Sequence, residues 1–184
     1  QKVAGYSCGP ISSTELASFG DFMQDVVTRY SQPPYNVLYY ELWNEPDIAP
    51  SLVDPNNIYG CWGDDTDTSY YGGGYYGEML KAVYPKIKAA NSSAQVLVGG
   101  LVLDCNPDIA GACSETHNPT TARFLEGILA DGAGDSFDGV SFHAYDFYQG
   151  SGNFYSNPLW DSAWNTTGPV VAAKAQFVRD VLNR

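Results

Sequence analysis

The sequence predicts an α/β fold of about three parallel strands with outer helices, in one domain spanning residues 1–184. Two observations carry this expectation. Apolar runs at 36–43, 95–101 and 137–145 have the length and aromatic or β-branched content of strands. Stretches with helical periodicity precede, separate and follow them, the rhythm of strand-helix units. Such runs suit strands covered on both faces, as in a parallel sheet wrapped by helices.

Taken in order, Ser12-Ser13-Thr14-Glu15 reads as a capping box, Ser12 with Glu15, opening a helix. Leu16, Phe19, Phe22, Met23, Val26, Val27 and Tyr30 recur at helical spacing and predict a buried face. Gln32-Pro33-Pro34 ends it. The first strand is carried by NVLYYELWNEPD, Asn36 to Asp47, whose only acid before the end is Glu41. At Pro46 the strand must stop, because proline has no N–H for a ladder and disfavours helical backbone at the residue before it. A carboxyl, Glu45, is thereby expected at the C-terminal tip of a buried strand.

A loop from Ile48 to Tyr71 follows, with an acidic run of Asp64, Asp65 and Asp67. These acids supply hard oxygens for calcium or form a solvated loop; they lack EF-hand spacing. A second helix runs from about Tyr75 to Asn91, with Tyr76, Met79, Leu80, Val83, Tyr84 and Ile87 on its stripe and a kink expected at Pro85. The preceding Gly72-Gly73-Gly74 has no following Lys-Ser/Thr and is no phosphate cradle. QVLVGGL, Gln95 to Leu101, is the second strand. Asn118-Pro119 caps a third helix with Phe124, Leu125, Ile128 and Leu129 inward, ended by Gly132 and Gly134. FDGVSFHAY, Phe137 to Tyr145, is the third strand; His143 and Tyr145 stand two apart at its tip, on one side. A last helix covers Pro169 to Asn183, with Val170, Ala173, Phe177, Val181 and Leu182 inward.

Composition narrows the function classes. A net charge of -12 argues against nucleic acid, whose phosphates need Lys and Arg, and no apolar run is long enough to span a membrane. Four cysteines permit three disulfide pairings. Cys105 and Cys113 bracket one loop, which leaves Cys8 with Cys61. Zinc is the rival, but there is no CxxC pair and there are only two histidines. Disulfides imply an oxidising compartment, so the expected location is extracellular or secreted. Asn91-Ser92-Ser93 and Asn165-Thr166-Thr167 match the N-glycosylation acceptor. No cofactor or metal is expected.

Trp43-Asn44-Glu45-Pro46 at a strand end resembles the acid/base motif of the retaining glycoside hydrolases built on the (β/α)8 barrel. The flanking pattern is closest to the β-xylosidase and α-L-iduronidase family, family thirty-nine. The resemblance implies a partial TIM-type barrel, units four to six, acting on a β-linked glycoside. It implies Glu45 as general acid/base and Asn44 as the partner of the sugar 2-hydroxyl. His143 and Tyr145 would contact the nucleophile or the sugar, with Trp43 beside it, and Gly99 and Gly100 would fit a crowded barrel top. The bland alternatives stay open: a capping Glu45 and a satisfied core His143. Trp62, Tyr70 and Tyr71 either line a subsite or pin the loop. Tyr148, Phe154, Tyr155, Trp160 and Trp164 either stack on sugar or cover the rim.

The resemblance also exposes a gap. A closed barrel takes about 250 residues, and the mapping places the seventh strand, which bears the nucleophile, beyond Arg184. No other glutamate fits: Glu78 and Glu126 lie in helices, Glu15 is a cap, Glu115 sits in the clipped loop. Glu41 lies four residues before Glu45, roughly 13 Å down the strand. An inverting partner drawn from Asp47, Asp104 or Asp146 is the remaining possibility. Three strands also leave open edges and a bare interior face, so a homo-oligomer or another chain supplying strands is expected. The rival function is an inactive partial barrel serving as a carbohydrate-binding or structural module.

Overall fold

The fold, seen in a computed structural model, is described for residues 9–48, 60, 62–114, 118–146, 163–166 and 169–184. A three-stranded parallel sheet has the order β1 (Tyr39–Leu42), β2 (Gln95–Leu101), β3 (Gly139–Phe142). The helices that can be described along their length are α1 (Leu16–Tyr30), α2 (Gly73–Ala90), the short α3 (Pro119–Ala122) and α4 (Phe124–Ala130), and α5 (Val170–Leu182). The α/β class with parallel strands is as the sequence predicts. The Cys105–Cys113 disulfide is present, with Cα atoms 5.3 Å apart; Cys8 and Cys61 lie outside the described residues. No described helix is long and apolar enough to cross a membrane.

Tyr40 and Leu42 of β1 pair with Val96 and Val98 of β2, and all four are buried. They join one core with Tyr76, Met79, Leu80, Val83 and Ile87 of α2 and Phe124, Leu125 and Ile128 of α4. The alternate residues behave differently from the expectation of a strand covered twice. Tyr39 is 67% exposed and Glu41 is exposed, because side chains alternate across a strand and these two point away from the core that Tyr40 and Leu42 join. Strand β3, at the other edge, is half-buried throughout. The aromatic run therefore misled about burial and not about strand formation.

Two side chains stitch the sheet where its ladders begin and end. Asp138, at the entry to β3, accepts the Val96 N–H at 2.8 Å and holds Lys88 at 2.9 Å, with the Tyr84 hydroxyl on its other oxygen. Burial opposes its charge, but those donors outweigh it and hold the carboxyl below its ordinary range. At the opposite end the Tyr76 hydroxyl donates to Leu42 O and accepts the Gly99 N–H at 3.0 Å. One phenol from α2 thus closes the tips of β1 and β2. The ladder needs that help. Val98 pairs with Val140 but Leu101 with Phe142, so β2 carries one extra residue at Gly99-Gly100.

Other local expectations are corrected. The capping box does not form: Ser13–Glu15 is a single 3-10 turn, and Ser12 makes no side-chain cap bond. Its hydroxyl meets that of Thr14 instead. Phe22 is exposed, because α1 buries the narrow stripe Gly20, Met23 and Val27. Leu182 is exposed too. The third helix is split at Arg123 into α3 and α4, although Asn118 caps it as expected, its side chain accepting the Thr120 N–H at 2.8 Å. Helix α2 starts at Gly73, two residues before the expected Tyr75, and runs to Ala90 with Pro85 inside it.

Replacing Tyr76 by Phe keeps the ring and strands Leu42 O and Gly99 N–H in an apolar surround. Tyr76→Phe is expected to lower unfolding stability by about 1–3 kcal/mol, checked by urea denaturation.

Candidate functional site

The tips of β1, β2 and β3 come together on one side of the sheet. Glu45 is only 5% exposed. Its Oε1 lies 2.7 Å from His143 Nδ1 and accepts the Tyr145 hydroxyl at 2.5 Å. The two rings meet edge to face, with centroids 5.4 Å apart. Among the described residues no partner engages Oε2. The sequence placed these three residues at the ends of two strands 98 and 100 positions apart, and the fold brings them to one oxygen. His143 is half-buried, with its Nδ1 on the Glu45 carboxyl.

The intervening strand makes this meeting possible. Glu45 N–H donates to Gly100 O at 3.1 Å and His143 N–H donates to Leu101 O at 2.8 Å. A Cβ on Gly100 would lie 2.5 Å from His143 Nε2, and one on Gly99 would lie 2.3 Å from Leu42 O. Only glycine lets the imidazole lie across the end of β2. Backbone strain gathers here as well: Trp43 (φ 77°), Glu45 (φ 50°), Leu103 (φ 50°) and Tyr145 (φ 51°) are all left-handed. Such residues cost about 1–3 kcal/mol each and concentrate at functional sites.

Asn44 is exposed. Trp43 is half-buried: its indole N–H donates to Gly60 O and its ring meets Trp62 edge-on at 5.1 Å. Trp62 and Tyr71 are buried, and the Tyr71 hydroxyl donates to Ile48 O at 3.0 Å, so these two pin the loop. Trp164 is buried against Phe177 and belongs to the core. Tyr148, Phe154, Tyr155 and Trp160 lie outside the described residues. The acidic loop is organised by its own backbone: Asp67 accepts the amides of Ser69, Tyr70 and Gly72, and Asp64 accepts that of Thr66. Among the described residues no group of three or more His, Cys, Asp or Glu is arranged to hold a metal ion.

The other carboxyls near the tips are all spoken for by backbone. Asp47 accepts the Val102 and Leu103 amides, both at 2.8 Å; Asp104 accepts the Asn118 amide at 3.1 Å; Asp146 accepts the Val170 amide at 2.5 Å at the start of α5. All three are buried. In their midst sits Lys174, fully buried on α5, donating to Val102 O at 2.6 Å and His143 O at 2.9 Å. Its ammonium lies 5.6 Å from the centroid of the Trp164 ring. Burial pulls this lysine down to about 8, against the opposing charges of Asp47, Asp104, Asp146 and Glu45. Burial likewise pushes Asp47 up to about 6, offset by its two amide donors and by Lys174.

Lys174 is the residue that sequence reading missed. The signal was present: it lies four after Val170 and three before Phe177, on the buried stripe of α5. A lysine in that register has to find carbonyls or carboxylates.

No family model, curated protein or solved structure matches the chain.

Gly100→Ala is expected to push the imidazole away and break the His143–Glu45 contact while the helices stay folded. The check is a crystal structure of the variant, in which His143 Nδ1 and Glu45 Oε1 should be beyond hydrogen-bond reach.

Proposed function

We propose that the chain is the segment of a (β/α) barrel glycoside hydrolase, units four to six, that carries the acid/base. The observation that carries this reading is Glu45: one oxygen held by His143 and Tyr145, the other without a partner among the described residues. A carboxyl so held is oriented and still has an oxygen for a substrate. In the proposed reaction Glu45 donates its proton to the leaving oxygen of a β-linked glycoside as the bond to the anomeric carbon breaks. A second carboxylate, about 5–5.5 Å away in a retaining site, then forms the glycosyl intermediate. Glu45 afterwards takes the proton of the attacking water. Asn44, exposed beside it, is suited to meet a sugar hydroxyl, and Trp43 offers a half-open ring.

The reaction needs no cofactor or metal. It does need that second carboxylate, and the described aspartates at the tips are committed to backbone amides. The inverting scheme through Asp47, Asp104 or Asp146 is accordingly not favoured. We assign the nucleophile to strands outside these three, supplied by a homo-oligomer, by another chain or by further sequence. The exposed face and free edge of β1 support such an addition. An extracellular setting fits the disulfide and the charge of -12. The same shortage of free carboxylates favours a second reading, a carbohydrate-binding partial barrel without turnover.

A panel of aryl β-glycosides with the purified protein separates the two. Turnover that falls by at least 10²-fold in Glu45→Gln, the scale of general-acid catalysis, is the expected outcome if the completing strands are present. Turnover unchanged in that variant would contradict the role given to Glu45. Sugar binding without turnover would select the second reading.

A further inference from the structure

We infer that Lys174 is a positioning residue for the Glu45 carboxyl, acting through His143; this rests on the reading of Glu45 as the reactive carboxyl. The contacts form a closed circuit around the strand tips. Asp47, two residues after Glu45, binds the Val102 and Leu103 amides and so fastens the β1 tip to the β2 tip. Lys174 takes the carbonyls of Val102 and His143 and fastens the β2 tip to the β3 tip. Asp146, three residues after His143, receives the Val170 amide and fastens the β3 tip to α5, the helix that bears Lys174. Glu45 and His143 thus sit at the ends of separate strands, and the ammonium of Lys174 ties the His143 carbonyl to the β2 tip.

Among the described residues, the groups facing Lys174 include the carboxylates of Asp47, Asp104, Asp146 and Glu45, the two carbonyls and the face of Trp164. An apolar side chain in its place would leave the His143 carbonyl buried without that donor. The residue whose carbonyl is released is the one whose ring holds Glu45. A neutral amine would hold the carbonyl too, but less strongly than an ammonium.

The test reads the His143 Nδ1 resonance, which reports the 2.7 Å contact with Glu45 Oε1, by nitrogen NMR. The chain has 2 histidines, so selective ring labelling gives two signals, assigned through His143→Gln. In folded Lys174→Met the parent Nδ1 resonance is expected to be lost and replaced by one at a shifted position. Persistence of the parent resonance in that folded variant would overturn the inference and confine Lys174 to stability. If Lys174→Met does not fold, the same resonance is followed in the unaltered protein from pH 7 to pH 10. A change tracking the Lys174 side-chain carbon shift, with a midpoint near about 8, supports the role. A resonance flat across that titration overturns it. Turnover plays no part in this readout, so failure of the glycosidase reading would show separately, in the comparison with Glu45→Gln.

Discussion

A parallel sheet has to dispose of backbone amides and carbonyls where its strands stop, and this molecule does so with side chains. The β2 tip is buried and the β1 and β3 tips are partly so, and each N–H and C=O shielded there must find a partner or cost about 1–3 kcal/mol. The Tyr76 hydroxyl serves Leu42 O and Gly99 N–H, Asp47 serves Val102 and Leu103, and Lys174 serves Val102 O and His143 O. These partners carry charge into an apolar region, which forces a second round of pairing. Asp47, Asp104 and Asp146 balance the ammonium, and it balances them. The acidic character of the tips is in this sense a consequence of ending three strands at one level.

That constraint also sorts the carboxyls by role. Those with both oxygens or their nearest donors in the backbone are structural, whatever their nearness to the site. Glu45 differs because its partners are two side chains on one oxygen, delivered from a strand across the sheet. The left-handed backbone at Glu45 and Tyr145 belongs to the same arrangement. Strain of that kind persists only where the surroundings over-determine it, and here the surroundings are the glycine pair of β2 and the ties beneath it.

Much of this could be read from the residues. The strand-stopping Pro46 announced where Glu45 would sit, and the two-residue spacing of His143 and Tyr145 announced a shared side. The Gly99-Gly100 pair was legible as crowding. What could not be read was depth. Tyr39 and Tyr40 are the same residue type, yet one faces solvent and the other the core, because they point to opposite faces of β1 and the run does not say which face the helices cover. Nor could spacing separate Asp47 from a second catalytic acid, since its role is fixed by amides 55 and 56 positions away. Lys174 was hidden by habit, as lysines are ordinarily placed on the solvated face.

The sorting of carboxyls is the central claim, and four denaturation curves address it without any substrate. Asp47→Ala, Asp104→Ala, Asp146→Ala and Glu45→Gln would be unfolded in urea under one condition. The account expects each aspartate variant to lose about 1–3 kcal/mol and Glu45→Gln to stay within about 0.5 kcal/mol of the parent. Aspartate variants of unchanged stability beside a strongly destabilised Glu45→Gln would contradict it, and would make Glu45 one more structural tie.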